Sequence, residues 1–306
     1  LQGNSRRIYN ERLHDIMDKT RKMDPVNRIV VKVGTTTIVH PETGKTDFGK
    51  MEKLARDLSD LANQGKDVII VSSGAIGIGR DILHIGKEVR DNTTRQACSA
   101  VGQGRMIMTY EKLFAEYGRV VAQVLLTKES ITSKLPRDNA ERTFESLLTH
   151  GVIPIVNEND SISTDELEYG NFGDNDTLSA YVAKLVRADL LIILSDIDGL
   201  YTDDPRQNKD AVFIEEVTKI DDELLKMGKD SSTSLGTGGM ATKLAAAQIA
   251  TRSGTDMIIL NGKEIHNIIK AVSGEDIGTI FRSRKTAGKS SAVKTKGNAA
   301  GKEFSK

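Results

Sequence analysis

The chain has 306 residues, and its 43 Lys and Arg balance 43 Asp and Glu, which argues against general electrostatic capture of nucleic acid or an anionic membrane. It has no Trp, few aromatics and one cysteine, Cys98. A base-stacking platform is therefore not visible, and no internal disulfide can form, in keeping with a reducing cytoplasm. Uninterrupted apolar runs such as Leu190 to Leu194 are far too short to span a bilayer, and the first 27 residues hold no signal-peptide core. The length suits one large α/β domain or two small ones.

Within residues 1–27, Ile8, Leu13, Ile16 and Met17 fall on one side of a weak amphipathic helix over 8–23, ended by Pro25. This segment reads as an appendage or a vector-derived piece, with Leu1 to Ser5 as a scar. Arg28-Ile29-Val30-Val31-Lys32-Val33-Gly34 is β-branched and nearly all apolar, as a strand covered on both faces must be. Lys32 interrupts it. A lysine there either snorkels to water or reaches a partner or pocket. Thr35 to Lys45 predicts a hairpin, with Pro41 and Gly44 near its turn. Met51, Leu54, Ala55, Leu58, Leu61 and Ala62 recur at helical spacing, and Gly65 stops the helix.

Asp67 to Val71 is the next strand, running into Ser72-Ser73-Gly74-Ala75-Ile76-Gly77-Ile78-Gly79-Arg80. Small residues at such a junction let backbone N–H groups converge on an anion, although the glycine spacing is not a dinucleotide fingerprint. Thr93 to Tyr117 reads as a long helix weakly marked by Gly102 and Gly104, with Cys98 as a small core residue. Strands follow at Val120–Leu126, Val152–Val156, Leu190–Leu194 and Met257–Leu260, and Gly278–Phe281 reads as an edge strand. Helices are expected at Asn139–His150, Asp174–Val186 and Ile265–Val272, with an Ala-rich one through Ala250. The alternation implies an α/β fold with a largely parallel sheet and helices on both faces. From Arg282 onward the chain is rich in Lys, Ser, Gly and Ala and reads as a disordered tail or linker. The five His are scattered, so a zinc site is not expected.

Three features converge on chemistry. Lys32 ends a buried strand. Gly236-Thr237-Gly238-Gly239-Met240-Ala241-Thr242-Lys243 is a Gly-rich loop feeding a helix, whose unpaired N–H groups and dipole favour phosphate. It lacks the Walker spacing. Between them lie Asn157-Glu158-Asn159-Asp160 and Gly173-Asp174-Asn175-Asp176, separated by the polar loop Ser161 to Phe172. Taken singly, each Asx-rich stretch reads equally well as a turn, and the Gly-rich stretch as a flexible loop. Taken together, two lysines around a phosphate loop suggest phosphoryl transfer, which needs positioning and charge rather than covalent help. The asparagines can hold a polar small molecule, and the aspartates can accept from an ammonium or steady the lysines. A carboxylate acceptor, already ionised at neutral pH, would need no general base.

These motifs, with Ser195-Asp196-Ile197-Asp198-Gly199-Leu200-Tyr201-Thr202 and Asp204-Pro205, occur in order over residues 28–282. They resemble the amino acid kinase family, and within it the branch that phosphorylates glutamate. Relatives acting on acetylglutamate, aspartate, carbamate or uridylate share the lysine-bearing strand but not the Asn-Glu-Asn-Asp and Gly-Asp-Asn-Asp pair in this form.

The resemblance implies a three-layer α-β-α sandwich with a mainly parallel central sheet spanning 28–282, followed by a basic tail at 283–306. It implies that Lys32, Lys243 and Asp176 carry the transfer, with Asp176 orienting both lysines. Ser73, Asp160 and Asn175 would hold L-glutamate, with Asp174 beside it. Lys32, Ser195, Asp196, Thr237, Gly238, Gly239, Met240, Ala241, Thr242 and Lys243 would line ATP, Ser195 standing where Thr is common. Mg²⁺ would arrive with ATP rather than in a protein cage. The family also implies γ-glutamyl phosphate as product, on the way to proline, with proline as feedback inhibitor. It further implies a cytoplasmic homodimer or homotetramer that uses this domain for neither nucleic acid nor membrane. Many bacterial members carry a further C-terminal domain, so the tail reads as the stub of one or as a natural or vector-derived end. Two rival readings remain: another acidic amino acid as acceptor, or a silent amino-acid sensor.

Overall fold

The computed structural model describes residues 21, 23–86, 91–162, 174–230 and 239–283. All but Arg21 and Met23 of the helix expected over 8–23 lies outside them, as do most of the Ser161 to Phe172 loop, Thr237, Gly238 and the tail beyond Ser283.

The apolar run starting at Arg28 forms β1 (Arg28–Val33), buried at every position but the first. A helical turn, α1 (Thr35–Ile38), leads to α2 (Phe48–Asn63), β2 (Asp67–Ser72), α3 (Ala75–Ile82) and α4 (Asn92–Ala115). Then come β3 (Val121–Leu126), α5 (Lys128–Thr132), α6 (Lys134–Thr149), β4 (Ile153–Glu158), α7 (Asn175–Leu185) and β5 (Leu190–Ser195). Three two-residue strands follow: β6 (Leu200–Tyr201), β7 (Phe213–Ile214) and β8 (Glu216–Val217). The described chain ends with α8 (Asp222–Asp230), α9 (Met240–Arg252), β9 (Asp256–Asn261), α10 (Asn267–Val272) and β10 (Thr279–Phe281).

The main sheet has the order β3-β4-β2-β1-β5-β9-β10-β8, and β6 pairs with β7 apart from it. Every neighbour in the main sheet is parallel except β9 and β10. Along β1 the side chains alternate between two cores. Ile29, Val31 and Val33 pack with Leu54 and Leu58 of α2, Tyr110 and Phe114 of α4, and Ile268 of α10. Val30 joins Phe144 of α6, Leu178 and Val182 of α7, and Leu244 of α9. Burial on both faces is why these strands are continuously apolar, and it yields the expected three-layer sandwich. The chain leaves β1 for β2 on one side and later for β5 on the other. That is a topological switch point, where such sheets leave a crevice beyond the strand carboxyl ends.

Four local expectations change. The threonines after Gly34 form a helical turn rather than a hairpin arm, because Gly34 O accepts the Thr37 N–H and both Thr37 and Ile38 are buried. Only Val39 and Thr46 bridge. Helix α6 begins at Lys134 rather than Asn139, since Pro136 sits in the first turn, where its missing N–H is not needed. Strand β10 is not the edge, because β8, too short to read from a charged stretch, pairs outside it. Ser283, assigned to the tail, is tied to the sheet, its N–H and hydroxyl both 2.7 Å from Asp256 Oδ1.

Two glycines of the α3 and α4 stretches, Gly79 and Gly102, serve packing. A Cβ on Gly79 would lie 1.8 Å from Cys98 O, and one on Gly102 would lie 1.7 Å from Ala75 O, whereas Gly104 faces open space. Gly102→Ala should therefore lower stability by about 1–3 kcal/mol or more through overpacking. Gly104→Ala, with only helix propensity at stake, should be neutral or stabilising by up to ~1 kcal/mol. Urea unfolding of both variants checks this, and equal midpoints would show that the two helix backbones do not rely on that contact.

Candidate active site

Lys32 is the fifth residue of β1, its Cα level with Val71 of β2 and Ile193 of β5. Only 8% of it is exposed. Its ammonium does not snorkel out; Nζ lies 2.7 Å from Asp176 Oδ1. Asp176 is fully buried in the first turn of α7, where the helix dipole favours a carboxylate. Asp174 caps that helix, its Oδ1 accepting the Thr177 N–H at 2.8 Å.

Lys243 stands in the first turn of α9, where the dipole disfavours a cation, and is 5% exposed. Its Nζ lies 3.2 Å from Asp176 Oδ2. The Thr242 hydroxyl is 3.1 Å from the same oxygen and 2.8 Å from Gly239 O. Burial alone would raise the Asp176 pKa. The charges and hydrogen bonds of Lys32 and Lys243 outweigh it and hold the carboxyl below its ordinary value. Asp176 is therefore ionised at neutral pH, and two ammonium groups share one carboxylate.

The amino-acid side is built around Asn175, the residue before Asp176. Its Nδ2 is 2.7 Å from Ser73 Oγ, 2.9 Å from Asn157 Oδ1 and 3.2 Å from Ser72 O. These groups come from the carboxyl ends of β2 and β4 and the start of α7, which the parallel register brings level. Asp174 Oδ2 is buried and meets no donor among the described residues. A buried carboxylate oxygen in that state is suited to a substrate ammonium. Asp160, just past β4, is met by Ser99 Oγ of α4 at 3.4 Å, and Gln103 Nε2 holds Glu158 O at 3.2 Å.

On the nucleotide side, Ser195 ends β5 and is 6% exposed; its hydroxyl is 3.2 Å from Asp196 Oδ1 and its carbonyl accepts the Gly262 N–H at 2.7 Å. Asp196 Oδ2 is 3.9 Å from Arg206 Nη1. Gly239 caps α9 without a side-chain bond, and Met240 and Ala241 open the helix, leaving first-turn N–H groups for an anion. Thr237 and Gly238 lie outside the described residues.

The fold thus joins Lys32, Asp176, Thr242 and Lys243 in one cluster, and Ser73 with Asn175 in another. Ser195 and Asp196 lie at the end of β5, the strand beside β1. Sequence reasoning did not single out Ser99 or Gln103 as supports of the Asp160 segment; both are unremarkable helix residues more than fifty positions away. Asn157, read only as one of the asparagines able to hold a polar small molecule, instead accepts from Asn175 Nδ2. Its readable signal is a buried polar residue at a strand end, 4% exposed.

The amino acid kinase family's sequence model matches residues 27–261. The glutamate 5-kinase of Clostridium acetobutylicum is 49% identical over 263 residues, covering 86% of this chain and 97% of that protein. The glutamate 5-kinase of Carboxydothermus hydrogenoformans is 48% identical over 260 residues, covering 85% of this chain and 69% of its own length. Among solved structures, carbamate kinase from Giardia lamblia bound to AMP-PNP superposes with a TM-score of 0.61 at 15% identity, covering 85% of this chain and 99% of that one. The isopentenyl phosphate kinase product complex from T. acidophilum gives 0.59 at 16%, covering 84% and 100%. At such low identity these two speak for the fold alone. The family match spans most of the sheet, the strand that carries Lys32 and the helix start that carries Lys243, and the chain belongs to the amino acid kinase family.

Proposed function

We propose that this protein transfers the γ-phosphoryl group of ATP to the γ-carboxylate of L-glutamate, giving γ-glutamyl phosphate and ADP, the first step toward proline. The observation that carries the reading is the buried Lys32–Asp176–Lys243 cluster. Two buried ammoniums converge on one carboxylate in a nearly dry site, where a phosphoryl anion can meet both of them. The name shared by relatives at 48–49% identity supplies the acceptor.

In this reading an oxygen of the glutamate γ-carboxylate attacks the γ-phosphorus while the bond to the β-phosphate oxygen breaks, and ADP leaves with that electron pair. The carboxylate is already ionised, so no proton need be removed. Lys32 and Lys243 stabilise the charge on the equatorial oxygens, and Asp176 fixes both ammoniums before substrate arrives. Ser73, Asp160 and Asn175 hold the amino acid, with Asp174 Oδ2 for its ammonium. The N–H groups opening α9 receive phosphate, and Ser195 and Asp196 border the nucleotide. Among the described residues no group of three His, Cys, Asp or Glu stands where it could hold a metal ion. Mg²⁺ accompanies ATP, whose phosphate charge it neutralises.

The same reading makes the protein a cytoplasmic homodimer or homotetramer subject to proline inhibition. No described helix is long and apolar enough to cross a membrane.

The test is hydroxylamine trapping. Folded protein with ATP, Mg²⁺ and glutamate should give γ-glutamyl hydroxamate, and none above the enzyme-free blank refutes the reaction. A panel of acidic and acetylated amino acids at equal concentration should leave glutamate as the best acceptor. Asn175→Ala should raise the KM for glutamate roughly 5- to 150-fold, the equivalent of ~1–3 kcal/mol for buried partners left unpaired, with the KM for ATP unchanged. An equal rise in both constants would remove Asn175 from the amino-acid side.

A further inference from the structure

A second cavity, of about 220 Å³, opens between α3, α4 and the turn after α1. None of Lys32, Ser73, Asp160, Asn175, Asp176 or Lys243 lines it. Ile38, Met51, Ile78 and Met106 give it an apolar body, while Arg80, Arg105 and Asp81 also contribute to the lining. The lining therefore carries one excess positive charge. Arg80 Nε is buried and meets no acceptor among the described residues, a state that native proteins rarely leave unexplained.

A concave apolar site with a few polar groups is the usual form of a small-molecule site. We infer that this cavity binds a small monocarboxylate with a hydrocarbon body, its carboxylate on Arg80, and that its occupancy is coupled to the amino-acid side of the active site. The single excess charge suits a monoanion better than a phosphate dianion. The space equals roughly seven water volumes at ~30 Å³ each, enough for a branched six-carbon acid.

Coupling follows from the shared wall. Gly74 and Thr35 both line the cavity, and a Cβ on Gly74 would lie 3.5 Å from Thr35 Oγ1. Gly74 has φ +104° and follows Ser73, whose Oγ is 2.7 Å from Asn175 Nδ2. A ligand that presses on Gly74 or Thr35 moves the backbone carrying Ser73. Binding itself is independent of the reaction, whereas the coupling to glutamate rests on the function proposed above.

The experiment titrates the full chain, without ATP, with 4-methylpentanoate and with its neutral amide. Three proteins are compared by calorimetry: wild type, Arg80→Met and Gly77→Leu. Gly77 lines the cavity, and an added Cβ there meets nothing within 4 Å, so a leucine side chain starts in open space and takes up cavity volume. Saturable binding of the acid to wild type is expected. At least about tenfold weakening is expected for the amide and for each variant, as for loss of a charge-assisted hydrogen bond or of the space itself. Glutamate should shift the acid's Kd by a factor that levels off, and hydroxamate formation by Gly77→Leu should match wild type.

No saturable binding to wild type, or equal binding to all three proteins, overturns the inference. So does a Kd that rises with glutamate without limit, which would place the probe in the substrate site. Hydroxamate formation without probe binding removes the cavity ligand alone. Probe binding without hydroxamate formation removes the proposed reaction and leaves the site standing.

Discussion

Lys243→Ala should slow phosphoryl transfer by about 10²–10³-fold, and Lys32→Ala should do the same, each loss corresponding to ~2.7–4 kcal/mol of transition-state stabilisation. The magnitude is that of one preorganised donor in a water-excluded site. Both lysines are almost entirely buried, and both are held at hydrogen-bond distance by Asp176. They need not reorganise when charge builds on the phosphoryl oxygens, and water does not screen them. Folding should survive either change. Removing one lysine still leaves Asp176 paired with the ammonium of the other, so the buried carboxylate is not orphaned. The loss is then mainly side-chain packing. The measurement is the single-turnover rate of ADP formation at saturating glutamate and ATP, with urea unfolding in parallel. Turnover within about threefold of wild type in both variants sinks the two-lysine mechanism, since neither could then supply a transition-state contact of this size.

How much of this was readable beforehand depended on whether the signal was local. The apolar run around Val30 and Val31 announces a doubly covered strand because burial on both faces leaves no polar position, and the structure buries it accordingly. Lys32 was conspicuous for the same reason: one charge in a run that excludes charge. What the residues alone could not supply is pairing across distance. Lys243 meets Asp176 across 67 positions, and Ser99 meets Asp160 across 61. No periodicity within either segment encodes such a contact. Glycine is ambiguous for another reason. In the stretch Gly74 to Gly79, the same absence of a Cβ serves a left-handed backbone at Gly74 and close helix packing at Gly79. Composition cannot tell those uses from the anion-binding loop it also resembles. Strand β8 was missed because two residues are too few to show alternation. The α1 turn was misread because its β-branched threonines favour a strand, and their tertiary contacts override that preference.

Asp176→Asn is the converse experiment, and its largest effect falls on stability. The amide keeps the shape and one acceptor but removes the carboxylate that Lys32 and Lys243 share. Two ammoniums then face each other in a site that is almost dry. Breaking a buried ion pair by deleting one partner costs about 3–5 kcal/mol, or a fall in Tm of roughly 6–20 °C for a domain of this size. Activity falls as well, because the lysines lose the group that fixes them.

The sign of the pH dependence follows from the same cluster. The folded carboxyl titrates below its unfolded value, so its contribution is fully present above the ordinary Asp pKa of about 3.9 and is lost only as pH falls through the lower folded value. The difference between wild type and Asp176→Asn should therefore be full at neutral pH and shrink only in acid. The double variant Asp176→Asn with Lys243→Met separates charge from shape. If repulsion is the cause, deleting one ammonium restores part of the lost stability, so that the second substitution is stabilising in the Asn background. If Asp176 mattered only for packing, the second change would add to the damage. A double variant less stable than Asp176→Asn alone would refute the electrostatic account, and with it the claim that the cluster is held together as a preorganised positive site for an anion.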